Sequence, residues 1–597
     1  MNFKDSLLLP KTNFKMKGFL NINEPIVIKR WKDEKIYEKV LKKNELNNSY
    51  ILHDGPPYAN GNIHCGHMLN RFIKDFILRY KSMSGYYTPF IFGWDTHGLP
   101  IENKITKNSN DNENLSQFRK KCRDYAINEV NNQKKQLERL GLFGDLEKKY
   151  LTLDKEYEVF QLEIFRDLAI NKHIFRGFKP VLWSPSSKTS LAESEVEYYD
   201  VETKTIYVLF KLKTIEKFNE FNEKDIFFVI WTTTPWTIPA NLAICVNKKF
   251  TYGLFKTDKG NFIFLSSLKK KLVEKFNIKK IKLLKEYKGD ELENIIVEHP
   301  IYENKTSIVI LGDFVSDDTG TGCVHIAPGH GLDDYNVCIK YGIKSYCPVD
   351  ENGFLDKTTG EFAGMFYKDA NEKIINFLEK KKLLIKIEKI IHSYPHDWRT
   401  KQPVIFRATA QWFCDIQTFK KKIMENIKKI SWLPKWGEEK ITKMIETRND
   451  WCISRQRVWG VPIIIFYNED GTPIIEKKIF DHVIELVKKH GIEIWFEKKA
   501  IDLLPKNYKN IHSPNNLFSK ETDIMDVWFD SGISWKILKK NNLNFPADLY
   551  VEGSDQYRGW FNSSLITSVI LNGISPFKKC VSHGFVVDKN FDKMSKS

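Results

Sequence analysis

Two histidines, His64 and His67, follow a loop rich in glycine and proline and stand at the start of an apolar segment with helical spacing. The apolar residues from Met68 to Tyr80 recur every three or four positions, which predicts an amphipathic helix that ends before Gly85. Unpaired N–H groups and the dipole at a helix start attract an anion, and imidazole N–H groups can donate to its oxygens. A turn that merely carries two surface histidines would have the same short motif. Other segments of the chain are therefore needed to distinguish an anion site from a plain turn.

The elements around this motif place it where ligands usually bind. A short apolar run, Tyr50 to Leu52, predicts a strand before the loop, and residues 86–92 predict a second strand after the helix. In open α/β sheets, ligands lie at the carboxyl ends of the strands. The sequence therefore predicts a strand–helix–strand unit with a ligand crevice at its first loop.

Composition limits the class of protein. A chain of 597 residues is too long for one hydrophobic core and predicts several domains. It has no run of eighteen apolar residues, as a membrane span would need, and its first residues lack the pattern of a secretory signal. None of the nine cysteines belongs to a Cys-x-x-Cys pair, which predicts free thiols in a reducing cytoplasm. The net charge of +17 indicates a polyanionic partner such as nucleic acid, although an A/T-rich coding sequence would produce the same lysine excess.

The chain divides by its sequence texture into four parts. Residues 1–48 form a basic, partly helical lead-in, with a predicted helix from Arg30 to Lys43. Residues 49–177 carry the strand–helix–strand unit and further helices, and residues 396–597 return to an α/β pattern. Residues 178–395 contain short β-branched runs between turns, which predicts a separate, largely β insertion. The predicted strands of the insertion run from Thr205 to Leu212, Ile226 to Trp231, Ile244 to Val246 and Thr306 to Leu311.

Several segments carry distinctive residues in a fixed order. They are Leu9 to Thr12, Gly55 to Gly61, His64-Cys65-Gly66-His67, Gly93 to Pro100, Ser454 to Gly460, Glu552 to Trp560 and Lys593-Met594-Ser595-Lys596-Ser597. With these segments the chain resembles the class I aminoacyl-tRNA synthetases over essentially its whole length, and it is most similar to their isoleucine-specific members. One position departs from the family pattern, since Tyr557 stands where histidine is more usual. The resemblance implies an α/β fold, in which a Rossmann-type parallel-sheet catalytic domain is split by a largely β editing insertion.

The resemblance implies ATP-dependent activation of L-isoleucine to an aminoacyl-adenylate, with Mg²⁺ accompanying ATP, and transfer of the aminoacyl group to tRNA(Ile). Attack of a carboxylate on the α-phosphate builds negative charge, so the reaction needs positioned positive charges and hydrogen-bond donors. The catalytic residues by resemblance are His64, His67, Lys593 and Lys596, and those that bind ATP are His64, His67 and Lys596. A solvated basic tail is the alternative for residues 593–597 taken alone.

The amino acid needs a counter-charge for its ammonium and an apolar enclosure for its side chain. By resemblance, Asp95 binds the ammonium and Glu552 contacts the adenylate. The other residues assigned to the pocket are Pro56, Gln556, Trp528 and Trp560. Large aromatic residues such as the two tryptophans are more often plain core.

Isoleucine exceeds valine by one methylene. In a single pocket this group changes the binding free energy by only about 1–3 kcal/mol, a limit already known for this pair of amino acids. A second, hydrolytic site that admits valine and excludes isoleucine solves the problem. Residues 231–241 and 320–335, both in the insertion, resemble the two walls of such an editing site. The residues assigned to it are Thr232, Thr233, Thr234, Asn241, His330 and Asp334, with Asp334 taking the ammonium. Taken alone, the three threonines are more typical of a β-strand.

No metal site is expected in this chain. Relatives often carry zinc on two Cys-x-x-Cys pairs that flank the insertion. The matching positions here hold Ser184, Ser187, Asp397 and Thr400. Three hydroxyls and one carboxylate do not make a structural zinc site, so we expect this region to fold without metal.

The resemblance also implies partners and leaves alternatives. The expected partners are L-isoleucine, ATP and tRNA(Ile), and no membrane is expected. The protein is expected to be cytoplasmic and monomeric. Family members continue after the last signature into an anticodon-binding domain, which we expect to be absent from this chain; a fragment, a separately encoded domain and a reduced enzyme all fit. A non-catalytic RNA-binding protein would have no need of the intact signature residues. A dinucleotide-dependent oxidoreductase would need a Gly-x-Gly-x-x-Gly loop, which does not follow the first predicted strand.

Overall fold

The computed structural model describes residues 3–8, 10, 12–13, 15–106, 114–213, 218 and 225–594. Lys596 lies outside the described residues, and so does part of the segment from Leu9 to Thr12. The chain forms two compact units. The first consists of Met1–Asn171, Ile416–Asn449 and Val458–Ser597, and the second of Lys172–Asp415 and Asp450–Arg457.

The helices and strands are numbered in chain order. The helices are α1 (Leu20–Asp33), α2 (Ile36–Asn44), α3 (Cys65–Met83), α4 (Leu99–Thr106), α5 (Leu115–Arg139), α6 (Lys155–Ile170), α7 (Lys269–Lys275), α8 (Leu332–Lys340), α9 (Tyr367–Lys380), α10 (Lys420–Ile427), α11 (Trp436–Thr447), α12 (Lys477–His490), α13 (Glu493–Glu497), α14 (Ala500–Leu503), α15 (Val527–Gly532), α16 (Lys536–Lys540) and α17 (Trp560–Asn572). The strands are β1 (Leu52–His53), β2 (Phe92–Trp94), β3 (Lys149–Leu151), β4 (Ile174–Ser184), β5 (Thr189–Ser190), β6 (Val196–Lys211), β7 (Ile226–Thr232), β8 (Ala243–Val246), β9 (Thr251–Thr257), β10 (Gly260–Leu265), β11 (Ile281–Lys288), β12 (Ile296–Glu298), β13 (Thr306–Leu311), β14 (Val324–Ile326), β15 (Leu384–Asp397), β16 (Ile405–Cys414), β17 (Ser431–Leu433), β18 (Trp451–Cys452), β19 (Ser454–Arg455), β20 (Phe466–Tyr467), β21 (Pro473–Ile474), β22 (Ser519–Lys520), β23 (Ile524–Met525), β24 (Leu549–Gly553) and β25 (Lys579–His583).

The first unit contains a region of parallel sheet. Strands β1, β24, β25 and β17 pair in parallel in that order, and β2 pairs in parallel with β3. Parallel bridges join Ser49 to Tyr87 and Tyr58 to Asp95, so the chain on either side of β1 runs beside the chain around β2. The parallel strand arrangement thus extends from β1 toward β2 and β3 on one side and toward β24 on the other. Ligands bind at such a reversal of strand order, outside the carboxyl ends of the strands.

Helix α3 leaves this carboxyl edge, as the helical spacing predicted. The predicted apolar face is not the buried one, however, since Phe76 and Tyr80 are exposed whereas Arg71 and Lys74 are buried by the charge pairing described below. It ends at Met83, and Gly85 follows with a φ of +89°, a left-handed conformation that glycine adopts without strain. The buried core around it includes Leu52, Leu78 and Trp94.

Two local predictions for the first unit were wrong. The second strand covers only Phe92–Trp94 instead of residues 86–92, because only Tyr87 of the earlier stretch makes a sheet-like bridge. The helix predicted from Arg30 to Lys43 is two helices, α1 and α2, which are separated at Lys35 by a φ of +53°. Strand β3, three residues within the otherwise helical stretch before residue 173, was not predicted, because so short a strand shows no period of two.

The second unit is largely β, with strands at all four stretches predicted for the insertion. Strands β6 and β7 cover the first two stretches, β8 and β13 the other two, and the long β6 pairs antiparallel with β15 and with β7. The bounds of this unit, Lys172–Asp415 and Asp450–Arg457, differ from the predicted 178–395. Strand β16, expected to begin the return to α/β structure, pairs antiparallel with β4 along its whole length and therefore belongs to this unit. Among the described residues, no helix is long and apolar enough to cross a membrane.

Candidate functional site

His64 and His67 cap the first turn of α3 reciprocally. The Nδ1 atom of His64 accepts from the backbone N–H groups of Gly66 at 3.1 Å and His67 at 3.4 Å. The Nδ1 atom of His67 accepts from the backbone N–H of His64 at 3.2 Å. Because each Nδ1 is an acceptor, the proton of each neutral ring sits on Nε2, which is then a donor. The cap therefore fixes both the orientation and the tautomer of two donors at a helix start that already favours an anion.

Behind this turn lies a buried group of charges that ties α3 to the sheet. Asp54 follows β1 and accepts from Arg71 at 2.5 Å and from Lys74 at 2.7 Å. Lys74 also donates to Glu552 of β24 at 2.6 Å, and the second carboxylate oxygen of Glu552 accepts from Asn70 at 3.0 Å. Burial raises the pKa of the Asp54 carboxyl, but Arg71 and Lys74 outweigh it and hold that pKa below its usual range. The pairing keeps Glu552 at the carboxyl end of β24, where it was predicted to contact the adenylate.

Asp95 follows β2 at the same carboxyl edge and is almost fully buried, with 2% of its surface exposed. One of its carboxylate oxygens accepts from the Thr152 hydroxyl at 3.3 Å. Burial and the nearby carboxylate of Asp530 raise the pKa of Asp95 well above its usual range. An ammonium group bound here would supply an opposite charge and favour the ionised form, so the position suits the predicted role.

The residues assigned to the apolar pocket gather around α15 and α17. Trp560 is buried, stacks on Tyr550 at 4.0 Å between ring centroids and donates its indole N–H to Ser531 O at 3.0 Å. Gln556 uses its side-chain oxygen to accept from the backbone N–H of Trp560 at 3.0 Å, which caps α17. Trp528 is the second residue of α15, and its buried indole N–H has no hydrogen-bond partner among the described residues.

Glycines let these aromatic rings approach the backbone. A Cβ on Gly559 would lie 2.7 Å from the Trp528 ring, and a Cβ on Gly55 would lie 2.8 Å from the Trp560 ring. Pro56 follows Gly55 and is half-buried. The residues assigned to the pocket, Pro56, Trp528, Gln556 and Trp560, thus lie in one part of the first unit. Two of them, Gln556 and Trp560, already make hydrogen bonds that stabilise the fold.

Lys593 is the only described lysine of the last signature. Its Nζ atom lies 3.6 Å from Asp555 Oδ2 and 4.0 Å from the centroid of the Phe585 ring. Asp555 follows β24 in the chain, so Lys593 lies near the carboxyl edge of the sheet. Lys596 lies outside the described residues.

In the second unit, the three threonines mark the end of a strand. Thr232 ends β7, Thr233 is half-buried, and Thr234 precedes a short 3₁₀ turn over Pro235–Ala240. The Thr232 hydroxyl accepts from the backbone N–H of Thr234 at 3.1 Å, and the hydroxyls of Thr234 and Thr237 lie 3.3 Å apart. The hydroxyls therefore line a turn instead of facing across a ladder.

Asn241 and His325 form a buried pair beneath this turn. The amide of Asn241 donates to Nδ1 of His325 at 2.7 Å, so the His325 proton is on Nε2 and donates to the Thr237 hydroxyl at 3.0 Å. Thr237 in turn donates to the carbonyl of Thr234 at 2.8 Å. Burial lowers the pKa of His325 to about 3, so this ring stays neutral. Asn241, assigned to the editing site, is thus placed to support the threonine turn from behind.

Asp334 lies in the first turn of α8, beside the second wall. Its carboxylate accepts from the backbone N–H of Ala327 at 2.7 Å, and burial raises its pKa to about 6. His330 donates from Nδ1 to the carbonyl of Phe406 at 3.0 Å and packs edge-on against Trp236, with ring centroids 4.8 Å apart. Trp236 belongs to the 3₁₀ turn that follows Thr234, so His330 links the two predicted walls.

The positions that match zinc ligands in relatives are joined by hydrogen bonds. The Asp397 carboxylate accepts from the hydroxyls of Ser184 at 2.8 Å and Ser187 at 2.7 Å. Its other oxygen accepts from the backbone N–H groups of Arg399 at 2.9 Å and Thr400 at 3.3 Å. Among the described residues, no group of three or more His, Cys, Asp or Glu side chains could hold a metal ion. The two turns are therefore tied by one carboxylate.

Sequence analysis assigned no role to several residues that complete these sites. In α3, Asn70 and Lys74 lie on the face of His67, at spacings of three and seven, and this polar stripe on a half-buried helix was a signal that could have been used. The other residues are His97, Asp530, Thr237 and His325, whose partners are far away in the sequence. For these no local pattern exists.

The chain matches known proteins along its whole length. A family model described as tRNA synthetases class I (I, L, M and V) matches residues 26–597. An isoleucine–tRNA ligase of Acholeplasma laidlawii is 52% identical over 599 residues, and those of Oceanobacillus iheyensis and Bacillus subtilis are each 50% identical over 602 residues. These alignments cover 100% of this chain and 65–66% of the relatives. The chain thus spans about two thirds of the length of the curated proteins that it matches.

Proposed function

This chain belongs to the class I tRNA synthetases, and from that premise we propose that it acts as an isoleucine–tRNA ligase. It would activate L-isoleucine with ATP to isoleucyl-adenylate, release pyrophosphate and transfer the isoleucyl group to tRNA(Ile). Proteins named isoleucine–tRNA ligase share 50–52% sequence identity with it over its entire length, which supports isoleucine as the amino acid. The parallel strand order around β1 and β24 supports a Rossmann-type catalytic domain.

The observation that carries the proposed chemistry is the reciprocal cap of α3. Attack of the isoleucine carboxylate on the α-phosphate gathers negative charge on the phosphoryl oxygens and the leaving pyrophosphate. The Nε2–H groups of His64 and His67 are fixed donors for that charge, and they need no reorientation as it develops. Lys593 and Lys596 would neutralise the pyrophosphate. Mg²⁺, bound with ATP, would share that charge, and it usually needs only one or two carboxylates beside the phosphates.

The amino acid would bind with its ammonium at Asp95. Its side chain would lie against Pro56 and Trp528, with Gln556 nearby, and Glu552 would face the adenylate. Trp560 would form the back of the pocket, because it is already buried and hydrogen-bonded to the chain. The lone indole N–H of Trp528 is a further donor in this region.

We further propose that the second unit hydrolyses valyl-tRNA formed by mistake. The turn formed by Thr232, Thr233 and Thr234 would hold the terminal adenosine and a water molecule, with Asn241 bracing the turn. His330 would link the two walls, and the Asp334 carboxylate would take the ammonium of valine. The remaining parts of the proposal are tRNA(Ile) as partner, a monomeric chain, a cytoplasmic location and no structural zinc.

The experiment that tests the proposal most directly is ATP–pyrophosphate exchange with the purified chain. We expect exchange that depends on isoleucine, and about 10²-fold less efficient exchange with valine, the limit for one methylene. Leucine and methionine, the substrates of other branches of the family, serve as controls. Exchange that responds to leucine or methionine more than to isoleucine would reject the proposed specificity.

A further inference from the structure

His97 is buried between two carboxylates, and only 1% of its surface is exposed. Its Nδ1 atom lies 2.7 Å from Asp530 Oδ2, and its Nε2 atom lies 3.7 Å from Glu158 Oε1. A ring with a carboxylate at each nitrogen is held in the doubly protonated, cationic form. Consistent with this geometry, the two carboxylates outweigh burial and raise the pKa of His97 to about 9.

The same histidine lies two residues after Asp95 and opposes the effects that would neutralise it. Burial and the charge of Asp530 both favour a protonated, uncharged Asp95. The cationic ring and the backbone N–H of His97 both favour its ionised form, together with the Thr152 hydroxyl. Without the imidazolium, Asp95 and Asp530 would be two carboxylates in one buried region, where like charges cannot both persist.

We propose that His97 is a positioning residue for the amino-acid substrate. As an imidazolium held between Asp530 and Glu158, it compensates the charge of Asp530 and so favours the ionised form of Asp95, which receives the substrate ammonium. The proposal rests on the proposed function for the identity of that ammonium. It also assigns Asp530 a part in the reaction, as the counter-charge that holds His97 in place.

The ionisable and polar groups that the described residues place around this arrangement fit it. From α6, Glu158 pairs with His97 and also lies 3.6 Å from Arg123 of α5, while Gln161 donates to Asp530 at 2.6 Å. From the start of α15, Asp526 adds negative charge near Asp530, and this increases the need for a cation. Tyr157 donates its hydroxyl to the carbonyl of Asp530 at 2.6 Å and keeps its proton, because burial raises its pKa well above the usual range. His97 thus brings a cation into direct contact with Asp530.

The test compares three forms of the full chain by calorimetric titration with isoleucine alone. His97→Gln keeps a hydrogen-bonding side chain but removes the charge, and we expect its Kd at pH 7.5 to rise about tenfold or more, equivalent to a shift of one pKa unit in Asp95. The double variant His97→Gln/Asp530→Asn removes both charges of the pair. We expect it to bind isoleucine within about threefold of the parent, because the carboxylate that raises the pKa of Asp95 is removed together with its counter-charge.

The pH profile separates charge compensation from simple structural support. Between pH 6.5 and 8.5 the weakening in His97→Gln should shrink as rising pH ionises Asp95, and the affinity for ATP should not change. A weakening that is equal at every pH, or a double variant that binds no better than His97→Gln, would overturn the proposal. So would isoleucine affinity in His97→Gln equal to that of the parent.

A second measurement needs no catalysis. Nitrogen-15 NMR of histidine-labelled parent chain should find both ring nitrogens of His97 protonated at pH 8, and a neutral ring at pH 7 would overturn the proposal. Failure of the proposed function has a different outcome. A parent that binds isoleucine but shows no isoleucine-dependent pyrophosphate exchange rejects the proposed reaction and leaves the role of His97 standing, whereas a parent that binds no isoleucine rejects both.

Discussion

The two histidines at the start of α3 each perform two tasks with different nitrogens. Nδ1 closes the helix cap, and Nε2 is left as the donor. An alanine substitution removes both functions together, so a loss of activity would not show which one mattered. Side-chain amides separate them, because the oxygen of asparagine reaches the position of Nδ1 and the amide nitrogen of glutamine reaches that of Nε2.

We therefore predict different results for two variants of His67. His67→Asn should keep the helix cap and the thermal stability of the chain but lower the rate of adenylate formation about 10²-fold or more, as loss of one transition-state donor does. His67→Gln should retain more of that rate and lose stability at the cap, by about 1 kcal/mol. Single-turnover formation of adenylate and thermal melting measure the two effects. Cys65→Ser, at the exposed position between the histidines, is the control, and equal rates in His67→Asn and the parent would exclude the donor role.

Asp95 gives the second prediction for a single residue. Asp95→Asn keeps the size and the Thr152 contact but removes the charge, so the substrate ammonium would be buried without its partner. Truncating one partner of a buried charge pair costs about 2–5 kcal/mol, and we expect isoleucine affinity to fall accordingly. Calorimetry measures this, with ATP affinity as the internal control. If Asp95→Asn bound isoleucine as tightly as the parent, the ammonium would have to bind elsewhere.

At the scale of elements, helix α8 carries the negative charge of Asp334 at its N-terminal end, where the helix dipole favours an anion. Asp334 lies in the first turn, where the helix dipole favours a carboxylate, while burial raises its pKa to about 6. Gly331, which precedes the helix, leaves room for this carboxylate, since a Cβ there would lie 2.9 Å from Asp334 Cγ. The charge is present at neutral pH and is lost as the pH falls through about 6.

This gives a pH-dependent prediction for the second unit. Hydrolysis of pre-formed Val-tRNA(Ile) by the parent should slow between pH 7 and pH 5, because Asp334 becomes protonated and no longer holds the ammonium. Asp334→Asn should be slow at every pH, while Asp333→Asn, an exposed carboxylate of the same turn, should behave as the parent. Thr234→Ala should have a smaller effect, because a water molecule can replace one hydroxyl. Isoleucine activation should stay within about twofold of the parent in all three, since none of these residues belongs to the unit with α3. Parent-like hydrolysis by Asp334→Asn would mean that the editing assignment is wrong.

Two turns of the second unit, 184–187 and 397–400, are joined by the buried carboxylate of Asp397. A metal is not needed if these hydrogen bonds hold the turns together. We predict that a chelator leaves the melting temperature unchanged, whereas Asp397→Ala destabilises the second unit by about 2–4 kcal/mol, because several donors to a charged group lose their acceptor. Thermal melting followed by calorimetry measures both effects, with Asp333→Asn as the control. A large loss of stability on chelation would show a bound metal and overturn the prediction.

At the scale of the whole molecule, the proposed function divides the discrimination between isoleucine and valine between the two units. Each unit has its own buried hydrophobic core and its own candidate site. One methylene limits the first selection to about 10²-fold, so the second unit would have to supply the rest.

The net charge of +17 also belongs to this scale. If the charge serves tRNA binding, affinity for tRNA(Ile) should fall about tenfold or more between 50 and 200 mM salt, since each neutralised phosphate releases counterions. Pyrophosphate exchange without tRNA should change by no more than about twofold, because the charged groups around Asp54 and Asp95 are buried and screened little. Equal salt dependence of the two activities would indicate that the lysine excess has no role in binding tRNA.

The sequence alone determined the features that are local. Helical spacing predicted α3, β-branched runs predicted strands of the second unit, and ordered signatures indicated the family that the match over residues 26–597 confirmed. Periodicity indicates the type of element because side chains on one face recur with the geometry of a helix or strand, although the most buried face of α3 is polar. The short strands β2 and β3 were misjudged or missed, because two or three residues carry no measurable period.

Tertiary structure alone decided the electrostatics of the site. His97 and Asp530 are 433 positions apart in the sequence, and Lys74 and Glu552 are 478 apart, yet each pair is in direct contact. Neither the contact nor the protonation state of these groups follows from residue type, because both depend on which elements pack together and how completely they exclude water. In the same way, Asp397 could be seen in the sequence only as a missing zinc ligand. Its role in joining two turns depends on packing that brings Ser184 and Ser187 to the same carboxylate oxygen.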